Sequence, residues 1–285
     1  MFESIISPRT AERDPWDMIA FGFIVCSLAV WMGFYLSRVI PAPGSMLSLA
    51  VAVIAMAPLI YRILLIEEEK EELASHNYFW GFITRHTDVI MVYSCLFIGI
   101  LICFAFWYTV LPAQSDVMPS SSEIFGIQES TIPGVKEQVS GGAVEQNSGV
   151  DDAPSPEQRS VYFQRLFDNN MKVMLLCFLS SVLFGAGALW LITWNASVIG
   201  VFIGSEIQKN LLHGLATPFG MSLWAIPEVL GFLVASIAGG ILAVAVSRHH
   251  FKSEKFWLTS FDAGFFLLIA MFLIILGAYI EHFFV

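Results

Sequence analysis

Charge is what this sequence has least of. Asp, Glu, Lys and Arg make up 13% of its 285 residues, against about 25% in soluble domains. A chain so poor in charge has too little to cover a folded surface on every side, so its solvent is lipid over most of that surface. Bases are scarcer than acids, 14 against 24, for a net charge of −10. That balance excludes nucleic acid as a partner, because phosphate binding needs a basic face. No polybasic patch for lipid headgroups is present either. Cysteine is limited to Cys26, Cys95, Cys103 and Cys177, each inside an apolar run. Neither a disulfide framework nor a metal-ligand spacing follows from them. Walker loops, GxSxG, HExxH and GxGD are missing, and no serine stands beside a usable base. The sequence therefore argues for no enzyme and implies no cofactor and no metal.

What it has instead is apolar length. Hydrophobic residues make up 56% of the chain and mean hydropathy is +0.72. Runs at about 18–37, 45–66, 89–111, 173–193, 197–212, 224–246 and 261–280 predict an all-α, polytopic bundle of about seven transmembrane spans. The first run is longer than a signal-peptide core and reads as an uncleaved span. HNYFWGFITRHTD at 76–88 crowds aromatics among polar residues and predicts an interfacial elbow. VYFQRLFDNNMK at 161–172 predicts an amphipathic helix leading into the fourth span. Between them, 112–160 is rich in Ser, Gly, Gln, Pro and acids. It is expected to be a flexible extramembrane loop that touches the bundle at Ile124-Phe125, Ile127 and Ile132. The chain divides at about 88 into two amino-terminal spans with an acidic and aromatic elbow, and a membrane domain over 89–285.

Lys172 to Glu206 poses a length problem. Thirty-three residues lie between these charges without another. One helix would reach ~50 Å, and the hydrocarbon core is ~30 Å thick. No charged or Pro-rich loop separates two spans. The expected solution is a tight, membrane-embedded helical hairpin turning at Asn195.

Arg and Lys are biased toward one side if the amino terminus is cytoplasmic: Arg9, Arg13, Arg62, Lys70, Arg85, Arg248, Lys252 and Lys255 then face the cytoplasm, against Arg38 and Lys209 outside. This predicts a multi-pass protein of the cell membrane with the 112–160 loop and the carboxyl terminus outside.

Few residues are candidates for chemistry. Asn195 either caps the fifth helix or contacts a ligand at a helix end. Glu206 is expected to pair with Lys209. Glu228 follows Pro227 at what reads as the broken start of the sixth helix. It is either a dipole-favoured cap or an intramembrane functional acid. Glu281 closes the seventh span. Gly185 and Gly187 on the fourth span, Gly200 and Gly204 on the fifth, and Gly239 and Gly240 on the sixth form small faces for close helix packing. Packing within the chain is one reading of them, and a homodimer seam is the other. His249-His250 with Glu254 reads as a solvated loop rather than a metal site.

FDNNMKV at 167–173 (which contains Asn170), GAGA at 185–188, TWNASVI at 193–199, then Pro227-Glu228, Ala238-Gly239-Gly240, Arg248-His249 and Tyr279-Ile280-Glu281 occur in an order that resembles the stage II sporulation protein M (SpoIIM) family, in its archaeal-type members. The likeness covers about Asp88 to the end. It departs where many members carry His-Gly before the acid and this chain has Trp224-Ala225. The resemblance implies a polytopic membrane protein without established catalysis. In spore formers the family member anchors peptidoglycan-degrading partners. Two functions are thus expected to compete: a membrane scaffold for other membrane or envelope proteins, and a transporter or channel-like subunit with a polar site near Glu228 or Glu206.

Overall fold

A computed structural model describes residues 7–73, 79–113, 119–139, 156–248 and 254–284; side chains at 70–73, 79–85, 133–139, 156–160, 162, 254–255 and 283–284 lie outside the description. The helices are α1 (Pro8–Arg13), α2 (Asp17–Ser37), α3 (Gly44–Leu73), α4 (Phe79–Val110), α5 (Ser121–Val139), α6 (Pro156–Phe184), α7 (Leu189–Lys209), α8 (Leu211–Arg248) and α9 (Glu254–Phe284). There is no strand among the described residues. Seven helices are long and apolar enough to cross a membrane. The elbow expected at 76–88 has its aromatic side chains outside the described residues, and its backbone from Phe79 on is the start of α4. The middle of the polar insert and the His249-His250 loop also lie outside them.

The bundle is organised around α8, which packs on α6, α7 and α9, while α2 packs on α3 and α4, and α4 on α7. Small residues set the closest approaches. A Cβ placed on Gly200 would meet the Leu101 carbonyl oxygen at 2.6 Å, and one on Gly204 the Ala105 oxygen at 2.9 Å. The GxxxG face of α7 is therefore occupied by α4 of the same chain, and a second copy would have to use another surface. Gly240 faces the Leu64 side chain of α3, and Gly239 the Phe178 carbonyl of α6.

The hairpin is present, but its turn is at Gly185–Ala188, ten residues before Asn195. Gly185 takes φ +65°, a conformation that glycine adopts without steric cost, and a single 3₁₀ turn over Ala186–Ala188 starts the return. Gly185 and Gly187 are thus turn residues rather than a packing face of the fourth span. Asn195 sits inside α7, where its Nδ2 donates to the Leu191 carbonyl at 2.8 Å. It caps nothing. The lead-in segment at 161–172 is part of α6, so the fourth span runs over Phe163–Phe184 and the fifth over Ala186–Lys209. The two legs share few contacts; α6 lies on α8 and α9, and α7 lies on α4 and α8.

Two further expectations change. The start of the 112–160 insert is not loop throughout: α5 packs on α3 and α7, burying Ile124 and Phe125 completely, with Phe125 against the rings of Phe104 and Tyr108. The sixth span does not begin at about 224, and Pro227 does not break its start. α8 starts at Leu211 and passes through Pro218 and Pro227 without interruption, which places Glu228 in mid-helix, far from any N-terminus.

The acidic block also enters the bundle. Glu67 and Glu68, in the acidic part of the expected elbow region, are both fully buried. Glu67 pairs with His86 Nδ1 of α4. Glu68 and Glu69 take the Arg248 guanidinium of α8 at 2.8 and 3.1 Å. This ionic cluster marks one end of the bundle.

Candidate functional site

Away from that cluster, five helices line a partly open cavity of about 160 Å³. Helix α8 supplies Trp224, Ala225, Glu228, Val229 and Phe232, a set spaced to share one helical face. Asn169, Asn170 and Val173 come from α6, Trp194, Asn195, Val198 and Ile199 from α7, Glu281 from α9 and Thr131 from α5. Glu228 lies twenty residues before Arg248, ~30 Å along the helix, so the cavity is in the half of the bundle remote from the ionic cluster.

Four of the polar positions singled out in the sequence meet here: Asn170, Asn195, Glu228 and Glu281. They are spread over more than a hundred residues of chain, and only the packing of α6, α7 and α9 on α8 joins them. Pro227 is adjacent in sequence and outside the cavity lining. Glu206 and Lys209 do not take part. They pair with each other at 2.7 Å near the end of α7, with the lysine side chain 55% exposed. An exposed pair of this kind contributes little. Replacing Lys209 with alanine is expected to change stability by less than about 0.5 kcal/mol, read from thermal unfolding in a single detergent.

The polar groups of the cavity are incompletely paired. Asn195 uses its Nδ2 on Leu191, which leaves its Oδ1 as an acceptor. Asn170 is only 5% exposed. Its amide acts on the Glu228 carboxyl, yet it reaches no hydrogen bond of normal geometry: Asn170 Nδ2 and Glu228 Oε1 are both buried without a partner. Glu281 is 2% exposed. No Lys, Arg or His lines the space. The walls are two carboxylates, three asparagines, a threonine and two indoles among Phe232, Met221 and aliphatic side chains. Trp194 and Trp224 are the members that the sequence reading missed. Their signal was position: Trp224 is four residues before Glu228, and Trp194 adjoins Asn195. Among the described residues no group of three His, Cys, Asp or Glu is placed to hold a metal ion.

A family model, stage II sporulation protein M, matches residues 19–285. This chain belongs to that family. The match takes in α2 and α3 as well as the region from Asp88 on which the sequence resemblance rested. A curated relative, the uncharacterized protein MJ0793 of Methanocaldococcus jannaschii, is 30% identical over 126 residues, 42% of this chain and 68% of the relative. No solved structure matches. Family and relative give no indication of catalysis. In this SpoIIM-family protein, the polar cavity therefore stands out within a helical, multi-pass membrane architecture.

Proposed function

We propose that this chain is a non-catalytic, transporter-type protein of the cell membrane, with a cytoplasmic amino terminus, whose working centre is the Glu228 cavity. The observation that carries the reading is the Glu228 carboxyl oxygen, buried without a hydrogen bond of normal geometry on a membrane-crossing helix, at a cavity that also holds three asparagines and a second carboxylate. A buried polar group without a partner costs about 1–3 kcal/mol, and an intramembrane acid is retained where it serves a site or a pathway. A scaffold would have no need for it. Asparagines, a second carboxylate and two indoles share the lining with Val173, Val198, Ile199, Met221, Val229 and Phe232, so the acid meets polar groups that a wholly Phe, Leu and Met packing would not supply.

Cysteine accessibility tests this reading. Val198 lines the cavity, and the four native thiols are buried, so the background is low. Val198→Cys is expected to react with an impermeant trimethylammonium thiosulfonate from both faces, in right-side-out and in inverted vesicles. Reaction from neither face would remove the cavity as a working centre.

A second reading keeps the scaffold. An apolar cleft of about 400 Å³ runs along α4, α7 and α8, between Phe97, Ile98, Leu101, Ile203, Pro218 and Leu230. A partner's membrane helix fits such a surface, because close apolar packing drives helix association in lipid. Repeated recovery of one partner in mild detergent supports it, and repeated recovery of the chain alone counts against it.

A further inference from the structure

We propose that the apolar cleft along α4, α7 and α8 is a seat for one hydrocarbon chain of a bilayer lipid. The inference stands apart from the Glu228 reading. It concerns the surface that the scaffold reading gives to a partner's helix, and the width of the cleft separates the two occupants.

Place comes first. Ser94 and Leu101, at the two ends of the α4 wall, lie eight and fifteen residues beyond His86 of the ionic cluster, ~12 and ~22 Å along the helix. The hydrocarbon core is ~30 Å thick, so the cleft is at mid-membrane depth. Its mouth carries Ile98 and Ile226, 41% and 55% exposed, and its floor Ile203 and Leu233, 5% and 1% exposed. Ile102 and Phe106 continue the face of Ile98 along α4, and Leu223 and Phe219 that of Ile226 along α8; all four are exposed. The mouth is thus continuous with the outer apolar face of the bundle and opens on lipid.

The lining asks for nothing polar. Among the described residues no charged side chain lines the cleft. Its two hydroxyls donate within their own helices, Ser94 to the Ile90 carbonyl at 2.8 Å and Ser222 to the Phe219 carbonyl at 2.9 Å. A buried water needs two to four polar partners, which these walls do not supply. Left empty, the walls would lose their dispersion contacts outright. Hydrocarbon satisfies both conditions.

Width selects the occupant. On α8 the wall runs from Pro218 to Leu233, ~22 Å along the helix. Spread over that length, the volume of about 400 Å³ is a mean cross-section of ~18 Å². A helix with its side chains is ~10–12 Å across, or ~80 Å² and more, so a partner's helix lies over the mouth and does not fill the cleft. Non-bonded carbons pack ~3.5–4.0 Å apart, which gives a single polymethylene chain a section of ~10–13 Å². One chain fits and two do not. If ~150 Å³ admits benzene, this volume holds ~16 carbons. Ile199, Met221, Ala225 and Val229 line both the cleft and the Glu228 cavity, so a seated chain lies against the outside of that cavity's wall.

Photolabelling of the full chain in nanodiscs tests the assignment. The probe is a phosphatidylcholine with a diazirine midway along one tail, and adducts are mapped by peptide mass spectrometry. Leu176, Leu179 and Leu183, exposed on α6 and outside the cleft, are the reference. Adducts at Ile98, Leu101 and Leu230 are expected about fivefold more often than at these leucines, a preference of ~1 kcal/mol. Leu230→Trp fills the cleft and is expected to bring Ile98 and Leu101 down to the α6 level while leaving α6 unchanged. Ile226→Trp, at the half-exposed mouth, is expected to do the same and keeps the test if the first variant does not fold. A phosphatidylglycerol with the same tail is expected to label equally, because the seat holds the chain; a strong dependence on the headgroup overturns the proposal. Labelling of the cleft at or below the α6 level overturns it too. So does labelling that is present in nanodiscs and absent from native membranes supplied with the same lipid, since a partner's helix then covers the cleft. Val198 lines the polar cavity and not the cleft, so Val198→Cys reports on the Glu228 centre alone, and either reading can fail without the other.

Discussion

Replacing Gly239 with alanine is expected to destabilise the protein by about 1–3 kcal/mol, whereas the same change at Gly264 is expected to be neutral or to stabilise it slightly. A Cβ on Gly239 would stand 2.3 Å from the Phe178 carbonyl oxygen and 2.8 Å from Ser181 Cβ. The first of these atoms is backbone of α6 and cannot swing aside, so α6 and α8 must move apart along their shared length. Gly264 on α9 has nothing within 4 Å of its missing Cβ. Alanine there gains only helix propensity, about 0.5–1 kcal/mol. The pair thus separates the loss of a helix contact from the general effect of removing a glycine. Thermal unfolding followed by tryptophan fluorescence is the measurement, and Gly239→Leu should abolish a monodisperse folded species. The contact matters for the site because α6 and α8 carry Asn170 and Glu228. Spreading these helices widens the cavity, so Gly239→Ala should also weaken any ligand held between the two side chains. Equal stability of the two alanine variants would mean that α6 and α8 do not approach as closely as described.

Span number and class were legible because they depend on composition and length alone, which lipid makes decisive. The turn of the hairpin was not. Asn195 was the one polar landmark in an apolar stretch and was taken for the turn, but an asparagine inside a helix can bond back to the carbonyl four residues earlier, as Asn195 does to Leu191. The true marker, Gly185-Ala186-Gly187-Ala188, was visible and was read as a packing face. The deciding property is the left-handed φ at Gly185, and a glycine in a sequence does not say whether it serves a turn or a contact. Pro227 misled in the same way: it read as a helix break, whereas α8 continues past it. Glu228, Asn170, Asn195 and Glu281 were each picked out singly as polar residues in apolar surroundings. Their convergence depends on which helix lies beside which, and α8 separating α6 from α7 is not written in any local pattern. Glu67 and His86 were missed for the opposite reason. A run of glutamates reads as solvated, and only the fold brings His86 and Arg248 against it.

That buried pair carries the second large effect. Glu67 and His86 are fully buried, joined Oε1 to Nδ1, with the imidazole edge-on to Phe266 at a ring-centroid separation of 4.6 Å. His86→Leu takes a partner from a carboxylate that has no water to replace it, and the expected loss is about 3–5 kcal/mol. The loss belongs to the buried acid, deprived of its imidazole, rather than to the histidine. Glu67→Leu combined with His86→Leu should therefore recover most of it, because a buried pair replaced by apolar side chains of similar bulk is often neutral. A double-mutant cycle on unfolding midpoints in one detergent measures the coupling, and contacting residues of this kind couple by about 0.5–3 kcal/mol. Arg248→Gln, which removes a half-exposed guanidinium from Glu68 and Glu69, should cost less than His86→Leu, since water reaches part of that site. The cluster joins α3, α4, α8 and α9 at the end of the bundle remote from the cavity. Loosening it frees one end of α8 while Glu228, twenty residues away, remains fixed by α6 and α9. Ligand binding should therefore survive changes that lower stability here, provided that the chain still folds. A double variant as unstable as His86→Leu alone would show that packing against Phe266, not the buried charge, is what His86 contributes.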